Sequence, residues 1–286
     1  MDSSFSLSNK RALLTGGTGA LGVAMAEALV AAGCRVAVMS RKQTHADETV
    51  KQLRSQASTR ESLNKQDGNE RAHHKIIGIQ GDVLDRQSLI DARHQLEREW
   101  GGLDILVNAA GGNRAGATIG PSASFFDLSL DDFRGVSELN LDGTVLPCLI
   151  FGELLVKQGG SIVNISSMAA DRTITRVLGY SAAKAGVDNF TRWLAVEMAR
   201  KYEGKIRVNA IAPGFFIGEQ NRRLLLNEDD SLTDRGQTII RNTPMGRFGE
   251  AEELGTTLVW LCAPGSSFIT GIVVPVDGGF SAWSGV

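Results

Sequence analysis

The chain is poor in cysteine and has almost no excess of either charge. Its three cysteines, Cys34, Cys148 and Cys262, stand far apart in apolar surroundings without metal-ligand spacing, which predicts buried thiols in a reducing compartment. A formal net charge of −2 excludes a broad basic surface that would recruit nucleic acid or an anionic membrane. Residues 1–9 are polar and lack the pattern of a secretory signal. We therefore expect a soluble, cytoplasmic protein that binds neither nucleic acid nor a membrane.

Internal repeats, low-complexity tracts and linker-like stretches are also lacking, so residues 1–286 are predicted to form one α/β domain. Apolar residues make up 42% of the chain and charged residues 22%, which argues against disorder. The polar stretch Arg54–Lys75 contains the pair His73 and His74, but no acidic or cysteine partner is suitably spaced. We interpret this stretch as a solvated helix end and loop, and we predict no metal site.

Apolar runs of strand length alternate with amphipathic segments of helix length. The predicted strands are Arg11–Thr15, Arg35–Ser40, Ile76–Gln80, Asp104–Asn108, Ser161–Ser166, Arg207–Ile211 and Ile272–Val276. The predicted helices are Ala20–Ala32, Thr44–Asn64, Arg86–Trp100, Ser129–Lys157, Tyr180–Tyr202 and Ala251–Cys262. This alternation predicts a doubly wound, seven-stranded parallel sheet with helices on both faces, whose carboxyl-end loops meet over one ligand crevice.

A Gly-rich turn, TGGTGALG from Thr15 to Gly22, follows the first predicted strand and opens the first predicted helix. Glycines let the backbone approach a pyrophosphate, and the helix N-terminus presents free N–H groups to it. We therefore predict a dinucleotide site that includes Gly16, Thr18, Gly19, Ala20, Leu21 and Gly22.

The end of the second predicted strand lacks the acidic residue that would hold the ribose 2′-hydroxyl of NAD. Ser40 and Arg41 stand there instead, and a small polar residue followed by cations tolerates a 2′-phosphate, so NADP is favoured. Alternatively Arg41 stacks on the adenine, which leaves NAD acceptable. Further cofactor contacts are predicted where the third and fourth strands end, at Asp82, Val83, Asn108, Ala109, Ala110 and Gly111.

The segment Phe215–Arg247 is too long for an ordinary connection between a strand and a helix. Its pattern is helical and it is rich in Arg, Asn and Gln. Because excursions above the strand ends often cover bound substrate, we predict a helical substrate lid.

Ser167, Tyr180 and Lys184 form a candidate proton-transfer group. Residues four apart share one face of a helix, so Tyr180 and Lys184 can point into the same cleft. A tyrosine with its ordinary pKa of about 10 is a poor acid or base at neutral pH, but a nearby ammonium favours the phenolate. An exposed lysine on an amphipathic helix is the alternative.

The chain resembles the short-chain dehydrogenase/reductase family over almost its whole length. The resemblance rests on Thr15–Gly22, Asp82, Asn108–Gly111, Asn140, Ser167, Tyr180 with Lys184, Pro213–Gly214 and Val276–Gly279. It implies a single Rossmann-type domain, usually in a homotetramer, that transfers hydride between a nicotinamide and a carbonyl or alcohol.

By position, the resemblance implies that Tyr180 is the acid/base and that Ser167 orients and polarises the carbonyl. It implies that Lys184 lowers the pKa of Tyr180 and binds the nicotinamide ribose, while Asn140 holds a water in a proton relay. It also adds Pro213, Gly214 and Ile217 to the predicted cofactor site. Two positions depart from the family pattern. Ala20 stands where a glycine is common, and Gly218 stands where a threonine commonly bonds the nicotinamide carboxamide.

Two stretches, Gly111–Thr118 and Phe215–Arg222, look like the branch of D-mannonate oxidoreductases or fructuronate reductases. A hexuronate offers one carboxylate and several hydroxyls. Arg222 or Arg223 could clamp the carboxylate, and the other substrate contacts would be Asn113, Ser167, Gln220 and Asn221. The alternatives are a reductase of 3-oxoacyl thioesters, polyols or gluconates, and a non-catalytic NADP-binding sensor.

Overall fold

The computed structural model describes residues 3–63, 76–218 and 221–285. The loop predicted before Lys75, with His73 and His74, and the predicted substrate contact Gln220 lie outside the described residues.

In the described part of the chain, the strands form one parallel sheet in the order β3-β2-β1-β4-β5-β6-β7. The strands are β1 (Arg11–Thr15), β2 (Arg35–Ser40), β3 (Ile76–Gln80), β4 (Ile105–Asn108), β5 (Gly160–Ile165), β6 (Ile206–Pro213) and β7 (Val273–Val276). The predicted doubly wound sheet of seven strands is confirmed. Strand β6 runs two residues past its predicted end because Pro213 still pairs with Val276 of β7.

Helices cover both faces of this sheet. They are α1 (Ala20–Ala31), α2 (Gln43–Leu63), α3 (Arg86–Trp100), α4 (Leu130–Ser137), α5 (Gly143–Val156), α6 (Leu178–Lys201), α7 (Arg222–Leu225), α8 (Asp234–Arg241) and α9 (Glu253–Cys262). Neighbouring residues of β1 serve opposite faces, as expected for a strand. Leu14 packs in a core that includes Leu258 of α9, and Leu13 packs in a second core that includes Phe151 of α5.

The predicted helix Ser129–Lys157 is interrupted. A π-helical turn, Glu138–Asp142, separates α4 from α5. By length and composition, Leu130–Val156 could cross a membrane, but 56% of its most apolar window is buried inside the protein. Its apolar character is therefore that of a core helix.

The predicted lid is less helical than its sequence pattern suggests. Between β6 and α9 the described residues form two short helices, α7 and α8, joined by turns. Phe216 is buried and forms a β-bridge with Gly249, which fixes the start of the segment beside the sheet.

Strands β1 and β4 are neighbours in space although they are separated in sequence. Their following loops leave in opposite directions across the sheet, which creates the crevice where doubly wound folds bind ligands. The candidate site lies at this carboxyl end of the sheet.

Candidate active site

The Gly-rich turn is locked to the loop after β4. Thr15 is fully buried, and its Oγ1 accepts hydrogen bonds from the N–H groups of Ala109 (3.1 Å) and Ala110 (3.2 Å). Gly16 has a φ of +64°, and a Cβ there would lie 2.7 Å from the Cα of Ala110. Only glycine fits so close an approach of two backbones.

The N-terminus of α1 has the donors that a pyrophosphate needs. Its N-cap residue, Gly19, supplies no side-chain hydrogen bond to the first turn. By contrast, α3 is capped by the Asp85 carboxylate, which accepts from Gln87 N–H at 2.9 Å. Free N–H groups and the positive end of the helix dipole suit a phosphate, so the turn fits a dinucleotide.

The ends of β2 and β3 border the same turn. Thr18 Oγ1 lies 3.5 Å from Ser40 Oγ, within reach of a weak hydrogen bond, and Arg41 is exposed. Asp82 Oδ1 accepts from Leu84 N–H at 3.0 Å, which holds this carboxylate in its turn. Val83 is buried. The side chains predicted to surround an adenosine therefore lie on adjacent strand ends.

Asn108 is placed differently from Ala109 and Ala110. Its Nδ2 donates to Asn164 Oδ1 (2.9 Å), and Asn164 Nδ2 donates to Thr191 Oγ1 (2.9 Å) on α6. These side chains are buried, with 1% exposure for Asn108. The Asn108 amide thus braces β4, β5 and α6 from inside, and only the backbone at this position remains for a cofactor contact.

Ser167, Tyr180 and Lys184 come together as their spacing predicts. Ser167 follows β5, and its Oγ accepts from Ala169 N–H at 3.1 Å. Lys184 Nζ lies 5.7 Å from the centre of the Tyr180 ring and donates to the Ile165 carbonyl at 2.6 Å. With only 4% of Lys184 exposed, the alternative of a solvated surface lysine is excluded.

The pKa values in this group are set mainly by burial. Burial raises the pKa of the Tyr180 phenol, and a hydrogen bond with Ser167 opposes that rise. Burial lowers the pKa of Lys184 to about 8, and the charge of Asp188 opposes that fall. These side chains therefore do not produce the lowered Tyr180 pKa that the family resemblance implies.

Asn140 lies in the π-helical turn and is fully buried. Its Nδ2 donates to the carbonyls of Gly112 (2.7 Å) and Val136 (2.8 Å), and its Oδ1 accepts from Gly112 N–H (3.1 Å). Both amide hydrogens are used within the protein, so a water could bond this side chain only by donating to Oδ1.

The absence of a side chain at Gly111 keeps a space open between two polar groups. A Cβ there would lie 2.7 Å from Asn140 Oδ1 and 3.4 Å from Lys184 Nζ. An acceptor and a donor thus face one small space at the end of β4, a donor set that suits a ribose hydroxyl or a water.

Asp188 is a buried group near the site that the sequence reasoning missed. It is 7% exposed, accepts a hydrogen bond from Ser166 Oγ, and lies one helical turn beyond Lys184. Burial raises its pKa, while that hydrogen bond and the charge of Arg192 oppose the rise. Its spacing of four from Lys184 on α6 was the available sequence signal.

Three residues predicted to contact substrate already bond within the chain. Asn113 Nδ2 donates to Thr118 Oγ1 at 2.9 Å. Asn221 Oδ1 accepts from Gly218 N–H at 2.8 Å, and its Nδ2 donates to the Phe216 carbonyl at 2.8 Å. Arg222 forms an ion pair with Asp230, and half of its side chain is exposed. The two asparagines shape their own loops, and Arg222 has a carboxylate partner without a substrate.

The remaining predicted cofactor residues lie after β6. Gly214 N–H donates to the Val276 carbonyl at 2.9 Å, and a Cβ on Gly214 would lie 2.6 Å from that of Asp277. Pro213 is buried and Ile217 is partly exposed. Among the described residues, no cluster of His, Cys, Asp and Glu could hold a metal ion.

Comparison with known proteins identifies the family. Residues 17–281 match the family model described as enoyl-(acyl carrier protein) reductase. The chain is 42% identical to the uncharacterized oxidoreductase UxuB of Bacillus subtilis, with 98% of each chain covered. A structure of a candidate D-mannonate oxidoreductase from Haemophilus influenzae with bound NAD has a TM-score of 0.84 and 39% identity, with 98% of each chain covered.

A structure of a gluconate 5-dehydrogenase from Burkholderia cenocepacia, in complex with NADP and tartrate, has a TM-score of 0.83 and 26% identity, with 98% of each chain covered. The fold and these relatives define a dinucleotide-dependent oxidoreductase. The chain belongs to the short-chain dehydrogenase/reductase family.

Proposed function

We propose that this enzyme interconverts a ketone and a secondary alcohol on a small polyhydroxylated acid, with D-fructuronate and D-mannonate as the substrate pair. The observation that carries the proposal is that the buried Ser167 and Lys184 lie beside the half-buried Tyr180 at the carboxyl end of the sheet, where the Gly-rich turn also lies. The two solved relatives described above, which are named for sugar acids, support this class of substrate.

The catalytic roles follow from the donors and acceptors of each side chain. Tyr180, whose raised pKa keeps it protonated at neutral pH, donates its proton to the carbonyl oxygen during reduction. Ser167 bonds the same oxygen and stabilises the charge that develops on it. Asn140 Oδ1 accepts from a water that resupplies the proton. A nicotinamide held by Thr15–Gly22 and Lys184 would supply the hydride, and in oxidation Tyr180 would accept the proton.

The cofactor is a nicotinamide dinucleotide held by the turn Thr15–Gly22 and by Lys184. We favour NADP because Ser40 and Arg41 place no carboxylate against a 2′-phosphate. The relatives described above were solved with NAD in one case and with NADP in the other, so NAD remains a working alternative.

A reductase of less polar carbonyl compounds is the second candidate. Phe125 and Phe126 are 59% and 91% exposed and stack edge to face, and they would suit an apolar substrate or an acyl chain. The family model that matches the chain is described as an enoyl-(acyl carrier protein) reductase, which names an acyl chain as the substrate.

Initial rates with NADH and NADPH on a substrate panel test these alternatives. The panel contains D-fructuronate, D-mannonate, gluconate, a polyol and acetoacetyl thioesters. We expect the highest kcat/KM for a hexuronate pair and a preference for NADPH. Turnover of thioesters alone would reject the sugar-acid proposal. Tight cofactor binding without turnover of any substrate would favour a sensor.

We further propose a cytoplasmic homotetramer. Leu149 of α5 and Trp193 of α6 are 63% and 61% exposed, which is unusual for large apolar side chains and suits helix-to-helix contact between subunits. Light scattering checks this, and a monomer would contradict it.

A further inference from the structure

Two arginines near the candidate active site have no carboxylate partner among the described residues. They are Arg176, four residues before Tyr180, and Arg235 in the first turn of α8. Other arginines of this edge form ion pairs: Arg172 pairs with Asp171, and Arg247 pairs with Glu253. In contrast to these two arginines, Arg176 and Arg235 carry guanidinium charges that no described carboxylate pairs with.

Arg176 is held in a conformation that its residue type disfavours. Its φ is +77°, in the left-handed region that costs free energy for a residue with a side chain. Its carbonyl accepts from Ile119 N–H at 3.0 Å, which ties the turn before α6 to the loop after β4. That loop also carries Asn113, bonded to Thr118. Strain maintained by such a tie is frequent at ligand sites.

Arg235 connects the predicted lid to the turn that carries Arg176. Its guanidinium lies 3.4 Å from Thr175 Oγ1, next to Arg176 in the chain. Both arginines are only partly exposed. Burial lowers the pKa of Arg235, and the positive charge of Arg176 lowers it further. Two like charges are thus held close together while partly withdrawn from water, an arrangement that an anion would stabilise.

We propose that Arg176 and Arg235 form the subsite for the carboxylate of a small sugar acid, and that they set the enzyme's preference for acids over neutral sugars. This inference rests on the proposed function. Guanidinium groups bind carboxylates through paired, charge-assisted hydrogen bonds. Arg176 belongs to the turn that leads into α6, and Arg235 belongs to the lid, so one carboxylate would join the two.

The subsite replaces the clamp predicted from sequence. Arg222 lies in an exposed ion pair with Asp230, whereas Arg176 and Arg235 are partly buried and have no such partner among the described residues. Arg223, the other residue of the predicted clamp, is exposed on α7, so its variant tests that clamp and also serves as a comparison of the same residue type in the same lid.

The test compares Arg235→Gln, Arg176→Gln and Arg223→Gln with the wild type. Steady-state rates are measured on D-mannonate and on the neutral D-mannitol, and equilibrium binding of D-mannonate is measured on protein saturated with NADPH. We expect each subsite variant to raise KM and Kd for mannonate by about 10- to 100-fold, with rates on mannitol unchanged. Arg235→Lys should recover part of the loss, and Arg223→Gln should change each value less than about twofold.

The outcomes are separable. Wild-type protein that neither binds nor oxidises any sugar acid would overturn the proposed function, and this subsite with it, before any variant is made. Wild-type turnover of mannonate with unchanged KM and Kd in both subsite variants would overturn the subsite alone. NADPH binding at the wild-type affinity shows that each variant is folded. Equal losses on mannonate and mannitol would also reject a carboxylate role.

Discussion

The floor of the candidate site is more deeply buried than the segment above it. We use this name for Asn140, Ser167 and Lys184, which are each at most 9% exposed and bond to backbone groups of neighbouring strands or turns. The predicted lid, described over residues 215–218 and 221–247, differs: many of its polar side chains are exposed and bond to partners within the segment. A buried group has few alternatives to its one set of partners, whereas an exposed group can exchange partners with water at little cost. The floor is therefore suited to fixed geometry and the lid to rearrangement on binding.

Removing the phenolic oxygen of Tyr180, which lies beside the floor, should have the largest effect. We expect Tyr180→Phe to lower kcat by about 10³- to 10⁴-fold because no other donor replaces the proton. NADPH affinity should stay within about threefold. The check is single-turnover rates with the best substrate of the panel.

The other tyrosine of the chain provides the control. Tyr202, at the end of α6, packs against a core on one face of the sheet, and Tyr202→Phe should keep near-wild-type turnover. Comparable losses in both variants would remove Tyr180 from the mechanism.

The charge of Lys184 should determine how kcat/KM depends on pH. The Lys184 amine has a pKa of about 8, so it is protonated below that pH and neutral above it, whereas Tyr180 keeps its proton across this range. We expect kcat/KM for ketone reduction to be level below pH 8 and to fall by about tenfold per pH unit above it.

Arginine at the same position keeps its charge at every accessible pH. Lys184→Arg should therefore be slower and lack the break near pH 8, while Lys201→Arg, on the exposed end of α6, should keep it. An unchanged break in Lys184→Arg would assign it to another group.

Loss of the buried Asn140 amide should lower the stability of the fold much more than loss of the exposed Asn113 amide. Asn140→Ala removes the hydrogen bonds that a fully buried amide makes to backbone groups of Gly112 and Val136, and we expect the free energy of unfolding to fall by about 2–3 kcal/mol. Asn113→Ala, which removes one exposed hydrogen bond, should cost about 0.5 kcal/mol or less. Urea denaturation of the two variants measures the difference, and equal costs would contradict the contrast between buried and exposed sites.

The smallest effect is expected in the lid. Arg222→Gln breaks an exposed ion pair with Asp230, which should change stability by less than about 1 kcal/mol. KM for a sugar acid should change less than about twofold. A large rise in KM would return the carboxylate clamp to Arg222.

The difference between floor and lid also explains what the sequence could predict. Strands β1, β2 and β3 begin and end where predicted because continuous apolar runs bounded by polar residues allow few alternatives in a parallel sheet. The spacing of Tyr180 and Lys184 likewise predicts their meeting, since a helix fixes the geometry of residues four apart.

Other features depend on contacts that no local pattern records. The π-helical turn Glu138–Asp142 was missed because the apolar pattern continues through it. In the lid, α8 begins at a Thr233 cap, and a β-bridge between Leu226 and Leu232 closes the loop between α7 and α8, so the pairing of Arg222 with Asp230 follows from loop shape. The approach of Arg235 to Thr175 joins residues 60 apart in the chain.

The buried hydrogen bonds from Asn108 through Asn164 to Thr191 have a consequence for how the enzyme can move. They join two strands to a point two turns along α6 from Lys184. A shift of α6 by one residue, about 1.5 Å, would break these hydrogen bonds and leave polar atoms without partners in the core. These bonds therefore resist movement of the helix that carries Tyr180 along its own axis.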